Sequence, residues 1–586
     1  MNRRELLRLS LGTTLALPLF AACSAPPASP TSAPASAPTS PPAAKPTTAS
    51  AAAATGAPAP TTATVAAKPT TATASGGAPL PTFVAAQVPA PDLPGNDQGL
   101  PPAYFSMPKN LVQSVRKTPG NGSNVDVLVW TFFPPATPMA QSAAWQAVNA
   151  ALNATLNLNI VGAPDYGAKV ATVVSSGSLP DILFYPPSSL IPDFATFLES
   201  QMADLTPFLG GDAVKDYPNL ANIPTYAWQG TLFKNKIYGV PLIQSRFFGC
   251  EFARLDMMQA AGVSQPKNSD DLTNFMKALT DPQANHWGLG VVSGPSGNTF
   301  GSNAYGWFPQ IFGAPNGWAV DGSGKFTKDI ETDAFKQSVA YERDLIAAGT
   351  FSPNSPFNQA SADQDFLKGG AAVHVAIWPL YPYFAGQLGG SSKLTYLLPF
   401  AHDGGKAQYY FGPGNLGINL LKKASSDRIQ ELLRVLDYLA APFGSQEYLS
   451  LHYGTPNVDY ALGPDGNPVL TDQGKAELPG GGPWNITGSP AFFYSDTHSE
   501  EYGRVMYESA AAVVPVGVAD PTVGLFSPTF SSKNAALQQM LADRLEAMFF
   551  GRAPLSDFDQ MVSDWRSQGG DQVRSEFEQV FAAAKA

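Results

Sequence analysis

The fold is decided by the stretch VDVLVWTFFPP, residues 125–135, and by the alternation of elements that follows it. Residues 125–131 form an apolar run rich in valine, which predicts a buried strand. Four further elements follow: a helix with apolar residues at Trp145, Val148, Leu152 and Leu156, a strand at 156–161, a helix at 166–174 and a strand at 181–185. Strands that alternate with helices predict an α/β fold with a parallel sheet, in which ligands bind beyond the carboxyl ends of the strands.

The rest of the chain is globular in composition from about residue 100 onwards and is too long for one hydrophobic core. The chain has 586 residues, of which 44% are hydrophobic, and we therefore expect two lobes. Further periodic and turn patterns predict helices at 270–279, 333–348, 535–550 and 571–584 and tight turns at 321–324 and 464–467. Ser556 with Asp559 indicates a helix start of the capping-box kind.

The first 23 residues have the pattern of an export signal. Three arginines, at positions 3, 4 and 8, precede the apolar run Leu9–Ala22, which is shorter than the roughly 20 residues of a spanning helix. The run ends in LFAAC (19–23), which is similar to a lipobox with Cys23 as the lipidated residue, although phenylalanine stands where leucine is usual. Residues 1–22 are thus expected to be a lipoprotein signal peptide. Cleavage without lipidation stays open, as does the choice between general secretory and twin-arginine export.

Residues 23–100 consist mainly of alanine, proline, threonine and serine. Such a segment buries too little apolar surface to offset the entropy of ordering it, and proline keeps it extended. We therefore predict a disordered tether that holds a globular head away from the membrane.

The composition excludes several classes of function. The formal net charge of −11 argues against nucleic acid and against other anionic polymers as partners. Cys250 is the only cysteine after Cys23, so the head can form no internal disulfide. The five histidines are scattered, and the sequence contains neither a phosphate loop nor a dinucleotide fingerprint. We expect no cofactor, no metal and no catalytic residue.

Two classes of function, a secreted hydrolase and a sensor, stay open on the sequence features described so far. A secreted carbohydrate-active hydrolase needs two carboxylates about 5–10 Å apart, a separation that depends on the fold. A sugar-sensing lipoprotein without transport would share the export signal and the tether. Release of reducing sugar would support the first alternative, and the absence of neighbouring permease genes would favour the second.

An ordered set of short motifs resembles the family 1 extracellular solute-binding proteins, and within them the oligosaccharide-binding lipoproteins. The set spans about residues 124–586, and each motif alone is weak. The motifs are GSLPDIL (177–183), KNKIYGVP (234–241), Leu255-Asp256 with AGV (261–263) and Pro266, GGAAV (369–373) leading to Trp378, Tyr453-Gly454, Asp459-Tyr460, DGNPV (465–469), Trp565, GGD (569–571) and Glu576.

The resemblance implies a two-lobed, periplasmic-binding-protein-like fold of type II, with the ligand in the cleft between the lobes and a hinge made of chain crossings. The crossings are expected near Gly239–Arg246, near Gly412–Asn419 and again after about Leu451. The implied division is 124–245 for the first part of lobe 1, 246–412 for the first part of lobe 2, 413–451 for the return to lobe 1, and 452–586 mainly for lobe 2 with closing helices.

The same resemblance implies the partners and the location. The expected protein is a monomeric, extracytoplasmic lipoprotein of an ABC importer, held at the cell membrane by its lipid anchor alone. It would capture a carbohydrate, more specifically an oligosaccharide, and deliver it to the permease subunits. Relatives that handle acidic oligosaccharides often carry a calcium loop, but here the corresponding segment, DPQANHW (281–287), has too few carboxylates. We therefore predict no calcium there.

The candidate ligand-binding residues follow from the chemistry of a pyranose ring. Aromatic side chains cover its C–H faces, and amide, carboxylate and guanidinium groups bond its hydroxyl rim. The aromatic candidates are Trp130, Tyr185, Trp228, Trp287, Trp307, Trp378, Tyr381 and Tyr383, and the polar candidates are Asp181, Gln244, Arg246 and Asn415. Each aromatic could instead be a core residue, as is expected for Trp145 and Trp565. The segment WPLYPY (378–383) is of most interest, because its prolines would hold the rings rigidly.

Overall fold

Two β-sheets form the framework of the head. The structure is a computed structural model that describes residues 80–96, 98–186, 191, 193–290, 304–353, 359–479, 486–496 and 498–585. The strands of the two sheets are β1 (Asn124–Thr131), β2 (Thr155–Gly162), β3 (Ile182–Tyr185), β4 (Gly239–Ile243), β5 (Gly249–Arg254), β6 (Trp287–Leu289), β7 (Ala371–Ile377), β8 (Leu394–Leu397) and β9 (Asn415–Leu421).

The first sheet has the order β2-β1-β3-β9-β4. Strands β1, β2 and β3 are parallel, as the alternation of elements predicted, whereas β9 is antiparallel to both of its neighbours. β9 lies far along the chain, after all four strands of the second sheet. The centre of the first sheet is buried because the valines and leucines of β1 are covered from both faces.

The second sheet has the order β8-β5-β7-β6. β5 is antiparallel to β7 and β8, and β6 is parallel to β7. Buried side chains cover both of its faces, since Phe252 and Trp378 belong to one apolar cluster and Ala253 and Val373 to another. A third cluster joins the C-terminal helices to Trp318. The predicted α/β architecture with two lobes is therefore confirmed.

Two segments of chain run between the first sheet and the part of the chain that contains the second sheet. Residues 244–248 run from the carboxyl end of β4 into β5, and residues 412–414 run from the short strand Tyr409–Phe411 into β9. The two segments lie side by side, because the Gln244 amide donates to the Gly414 carbonyl (3.0 Å) and the Gly412 amide to the Arg246 carbonyl (2.7 Å). We call them the crossings, and the space between the two sheets the cleft.

Helices pack around each sheet. Those around the first sheet are Ala143–Leu152, Ala163–Ser176, Phe194–Gln201, Thr206–Leu209, Pro218–Ala221, Thr225–Gln229, Ser426–Leu439, Gln446–Tyr453 and Asp472–Glu477. Those around the second sheet and at the C-terminus are Leu255–Ala261, Ser269–Ala278, Ala304–Ile311, Asp333–Ala347, Gln359–Lys368, Tyr381–Leu388, Ser499–Val513, Pro528–Phe549, Phe558–Trp565 and Asp571–Lys585. Among the described helices, none combines the length and the apolar character needed to cross a membrane.

Short paired strands complete the fold. The pairs are Leu232–Phe233 with Lys236–Ile237, Trp318–Val320 with Phe326–Lys328, Tyr460–Leu462 with Pro468–Leu470, and the parallel pair Tyr409–Phe411 with Gly517–Ala519. The second and third pairs place the two predicted turns, 321–324 and 464–467, at the tips of hairpins.

Two predicted helix boundaries are wrong. The first helix ends at Leu152, because Asn153 adopts a left-handed conformation, and Leu156 lies in β2. The expected capping box at Ser556 does not form, since a short 3₁₀ turn, Leu555–Asp557, precedes the helix and no side chain caps it.

The predicted tether is wrong at its C-terminal end. The Thr82 and Val84 amides donate to the carbonyls of Gly211 and Ala221 (2.9 and 2.8 Å), and Leu93 pairs with Ala103. The sparse leucines of residues 80–100 anchor this segment, although its overall composition is that of a linker. The signal peptide 1–22, Cys23 and the tether up to residue 79 lie outside the described residues.

The division into lobes between residues 124 and 451 stays a prediction, whereas residues 452–586 are shared among several cores. Tyr453, Tyr460 and Ile486 pack into the core of the first sheet, and Phe493 and Tyr502 pack into that of the second. Phe492 and Tyr494 pack against the first core while Phe493 packs into the second, so residues 492–494 contact both cores, and a third crossing after Leu451 stays a prediction.

Candidate functional site

The crossings emerge where the strand ends of the first sheet meet. β1, β2 and β3 are parallel, and β9, which begins at Asn415 beside Ile243, runs antiparallel to β3 and β4. The carboxyl ends of β1 to β4 therefore share one edge with the crossings. On the second sheet the corresponding edge holds Gly249, the start of β5, paired with Ile377, the end of β7. Both edges border the cleft.

Arg246 is the central charged residue of this region. Its guanidinium lies over the Phe411 ring, 4.5 Å from the centroid, and over the Tyr226 ring at 5.3 Å. Partial burial lowers the pKa of the guanidinium from its usual value, and the same burial raises the pKa of the Tyr226 hydroxyl to about 12. A charged donor group is therefore held between two rings where the two crossings meet.

Glycine at position 414 makes this arrangement possible. Gly414 has a φ of +81°, a conformation that favours glycine. A Cβ atom there would lie 2.3 Å from the Tyr226 ring. The second crossing can approach Tyr226 and Arg246 this closely only because it carries no side chain at this point.

The other polar candidates differ in role. Gln244 lies in the first crossing and is partly exposed, and its contact with a ligand stays a prediction. Asn415 is buried, and its amide nitrogen donates to the Ala227 carbonyl at 3.0 Å. Asp181 lies at the opposite, amino end of β3, where its carboxylate accepts from Arg428 (2.7 Å) and from the Asp126 amide (3.0 Å). The expectation that Asp181 contacts a ligand is therefore corrected, because its hydrogen bonds join β1, β3 and the helix Ser426–Leu439.

Two predicted aromatics lie at the cleft edge but are buried. Trp130, near the end of β1, packs against Phe132 and Phe184. Tyr185, at the end of β3, stacks on Phe194 with ring centroids 4.3 Å apart. Both shape the floor beneath this edge and expose little surface to a ligand.

The aromatic platform expected at residues 378–383 is corrected. Trp378 is only 3% exposed; it stacks on Tyr396 at 4.1 Å and donates from Nε1 to the Gly249 carbonyl at 3.1 Å. Tyr381 is fully buried and also stacks on Tyr396. Only Tyr383 is open to solvent, at 48%. Trp378 lies at the cleft edge of β7, but Phe247 of the first crossing covers it.

The remaining tryptophans also belong to the core. Trp228 is fully buried in the helix Thr225–Gln229. Trp307 packs against Phe308, and Trp287 lies at the start of β6, paired with Ala371 at the far edge of the second sheet. These three candidates are therefore corrected, since packing against distant segments removes their rings from solvent.

Two aromatics that were not among the candidates are exposed directly after β1. Phe132 is 43% exposed and Phe133 is 46% exposed, and both follow the carboxyl end of a central strand of the first sheet. The signal in the sequence was their position between an apolar strand and two prolines. Both rings are thus exposed at the edge of the first sheet from which the crossings emerge.

A cavity of about 320 Å³ lies elsewhere. It is lined by residues 113–119, which lead into β1, together with Ala151, Tyr438 and the helix Gln446–Tyr453. None of its lining residues belongs to the crossings, so it is separate from the site described above.

No metal centre is present in the residues that the structure describes, since no group of three or more histidine, cysteine or acidic side chains comes together there. In the loop considered for calcium, the Asp281 carboxylate accepts from the backbone amides of Gln283 and Ala284 (3.0 and 3.3 Å). Its local bonds shape a tight turn, and the absence of calcium stays a prediction. Cys250 is buried and free.

The comparison with known families identifies the class of protein. Residues 143–471 match the bacterial extracellular solute-binding protein family, and this match covers more than half of the chain. The protein therefore belongs to that family, which confirms the family recognised from the ordered motifs.

Individual relatives are more distant. The chain is 25% identical over 391 residues to the polygalacturonan/rhamnogalacturonan-binding protein YtcQ of Bacillus subtilis, covering 64% of this chain and 76% of YtcQ. It is 22% identical over 475 residues to the lipoprotein LipO of the same organism, covering 77% of this chain and 91% of LipO. The structure of the S. pneumoniae ABC-transporter substrate-binding protein FusA in complex with kestose matches at a TM-score of 0.58 and 15% identity, covering 78% and 99% of the two chains. That likeness concerns the fold.

Proposed function

We propose that this protein is the extracytoplasmic substrate-binding component of an ABC importer and that it captures a carbohydrate, more specifically an oligosaccharide, in the cleft. One observation carries the proposal: the strand ends of the first sheet, two exposed phenylalanines and a ring-flanked arginine share an edge with the crossings that join the lobes. Rings for sugar faces and donors for hydroxyl groups are what a pyranose requires.

The relatives support a carbohydrate ligand. YtcQ is named for binding polygalacturonan and rhamnogalacturonan, and the FusA structure is a complex with kestose. The two proteins differ in ligand, so together they favour the chemical class rather than one sugar.

Movement of the lobes follows from the crossings. The crossings are short, and such segments act as hinges when a few backbone dihedral angles change. We propose that the ligand favours a closed arrangement of the lobes, which the permease subunits then recognise. The protein would act as a monomer and would catalyse no reaction.

The anchor belongs to the same proposal. LipO is named a lipoprotein, and the LFAAC stretch supports lipidation of Cys23 in this chain. If Cys23 carries the lipid, Cys23→Ala will leave the membrane fraction or remain unprocessed, as judged by fractionation and electrophoretic mobility. A Cys23→Ala protein that fractionates and migrates like the parent contradicts the anchor.

A ligand screen tests the binding function. A ligand that binds only the folded protein raises its melting temperature by mass action. We expect one or more oligosaccharides in a panel of neutral and acidic chains to raise the melting temperature of the head by several degrees, with binding confirmed by titration calorimetry. Failure of every sugar in the panel, or release of reducing sugar from a bound chain, would contradict the proposal, the second result in favour of a hydrolase.

A further inference from the structure

Among the partly buried arginines of the described chain, Arg246, Arg343 and Arg434 have no carboxylate partner, and of these three only Arg246 lies in a crossing. Arg254, Arg428 and Arg574 each pair with a carboxylate, at 2.7, 2.7 and 2.5 Å. Arg246 is also partly buried, yet within the described chain its guanidinium forms no ion pair, and its charged group meets only the rings of Tyr226 and Phe411.

The sequence of the remaining loops supplies no acid either. The internal segments outside the described residues are Asp97, 187–190, 192, 291–303, 354–358, 480–485 and 497, and among them only Asp97 is acidic. Asp97 comes after Leu93 and before Ala103 in the chain, and these two residues form a β-bridge with each other. Apart from Asp97, these segments therefore contain no carboxylate that could neutralise Arg246.

A guanidinium that lacks a carboxylate partner at this position favours an anionic ligand. Removing a guanidinium from water is unfavourable, and two aromatic rings offset only part of that cost. The hydroxyl groups of a neutral sugar accept hydrogen bonds but bring no charge. A carboxylate matches the planar guanidinium with two parallel hydrogen bonds and neutralises it.

The position of Arg246 also bears on the length of the ligand. Phe132 and Phe133 follow β1, and Arg246 follows β4, which is three strands away in the order β1-β3-β9-β4. Neighbouring strands lie about 4.8 Å apart, so the two groups are separated by roughly 14 Å along the edge. One pyranose ring does not span that distance.

We propose that the ligand is an acidic oligosaccharide, one of whose uronate carboxylates pairs with Arg246 while another ring packs on Phe132 and Phe133. This inference rests on the proposed carbohydrate-binding function. It adds the charge of the ligand, the residue that recognises that charge and a minimum length greater than one sugar.

Titration calorimetry on the full head tests the proposal. The probes are trigalacturonate, its methyl ester and the neutral trisaccharide kestose, and the variants are Arg246→Gln and Arg246→Lys. Arg343→Gln is the control, because it makes the same charge change on the helix Asp333–Ala347, away from the crossings. We expect Arg246→Gln to weaken trigalacturonate binding by about 10- to 100-fold, and Arg246→Lys to weaken it less. Arg343→Gln should bind like the parent.

The methyl ester separates charge from shape. The parent should bind it at least about 10-fold more weakly than the acid, and Arg246→Gln should bind it no more weakly than the parent does. Equal binding of acid and ester, unchanged binding by Arg246→Gln, or a preference for kestose would overturn the acidic ligand while leaving carbohydrate binding intact. If neither these probes nor the wider panel binds, the proposed function fails as well.

The melting temperatures of the ligand-free variants show whether binding is lost because the protein is destabilised. Because Arg246 has no carboxylate partner to leave behind, Arg246→Gln should melt at or above the parent temperature. A lower melting temperature together with lost binding would show that Arg246 serves the fold, and would contradict the proposal.

Discussion

The first crossing and the segment WPLYPY at residues 378–383 both border the cleft, but they differ in how far their candidate residues are exposed. The crossing contains Gln244 and Arg246, both partly exposed. The aromatic segment places Trp378 and Tyr381 under Phe247 and Tyr396. The comparison shows that a rigid, ring-rich segment beside a cleft becomes core wherever a neighbouring segment supplies rings to cover it.

The first crossing and the second sheet also differ in whether their ionisable side chain can become neutral. Glu251 in β5 follows Arg246 by five residues, and burial raises the pKa of its carboxyl to about 8. The glutamate can become neutral by keeping its proton, whereas an arginine stays charged at any ordinary pH. The crossing therefore keeps its charge, and we propose that the ligand neutralises it.

The largest effect is expected for Trp378, in the buried aromatic segment 378–383. Trp378→Ala should lower the free energy of unfolding by about 3–5 kcal/mol, since it removes a ring stacked within the core. Urea denaturation measures the change, with Tyr383→Ala on the next helix as a matched control expected to cost less than about 1 kcal/mol. A stable Trp378→Ala protein that has lost its ligand would break the comparison and restore the platform.

A smaller effect is expected in how the stability of the protein depends on pH through Glu251. Its pKa is raised from 4.5 to about 8 in the folded protein, so the stabilisation is complete below pH 4.5 and is lost as the pH rises towards 8. We expect the parent to lose roughly 1–3 kcal/mol from this group between pH 5 and 8, and Glu251→Gln to lose that much less. Parallel melting curves of both proteins across this range would show that Glu251 is already ionised, which the comparison does not allow.

The smallest effect tests the exposed rings of the first sheet. Phe132→Ala and Phe133→Ala should each weaken binding of the best ligand of the panel by about 3- to 10-fold, because a ring-to-sugar contact is lost. The melting temperature should change little, since both rings are nearly half exposed. Phe550→Ala, with a ring of similar exposure at the end of a C-terminal helix, provides the control. Equal affinities for all three variants would remove the phenylalanines from the site.

The sequence predicts the framework far better than the site. The strands β1 to β3 follow from local periodicity, and the crossings follow from ordered family motifs such as KNKIYGVP, which ends at Pro241 within β4. Gln244 and Arg246 follow such a motif and lie in the first crossing, but their contact with a ligand stays a prediction. The burial of the tryptophans was not predictable, because it depends on segments far away in the chain, as Phe247 covers Trp378.

Asp181 illustrates the same limit for a polar residue. It precedes a strand that ends at the cleft, but a side chain before a parallel strand lies at the opposite edge, where Arg428 binds it. Only the direction of the strand separates the two cases. Phe132 and Phe133, which follow the carboxyl end of β1, were not among the candidates.

The position of a bound sugar tests the central claim most directly. A crystal structure of the head with an oligosaccharide from the panel should show the ligand in the cleft, with one end at Arg246 and the chain extending towards Phe132 and Phe133. A ligand bound in the cavity beside residues 113–119, or anywhere that leaves the crossings untouched, would contradict the account.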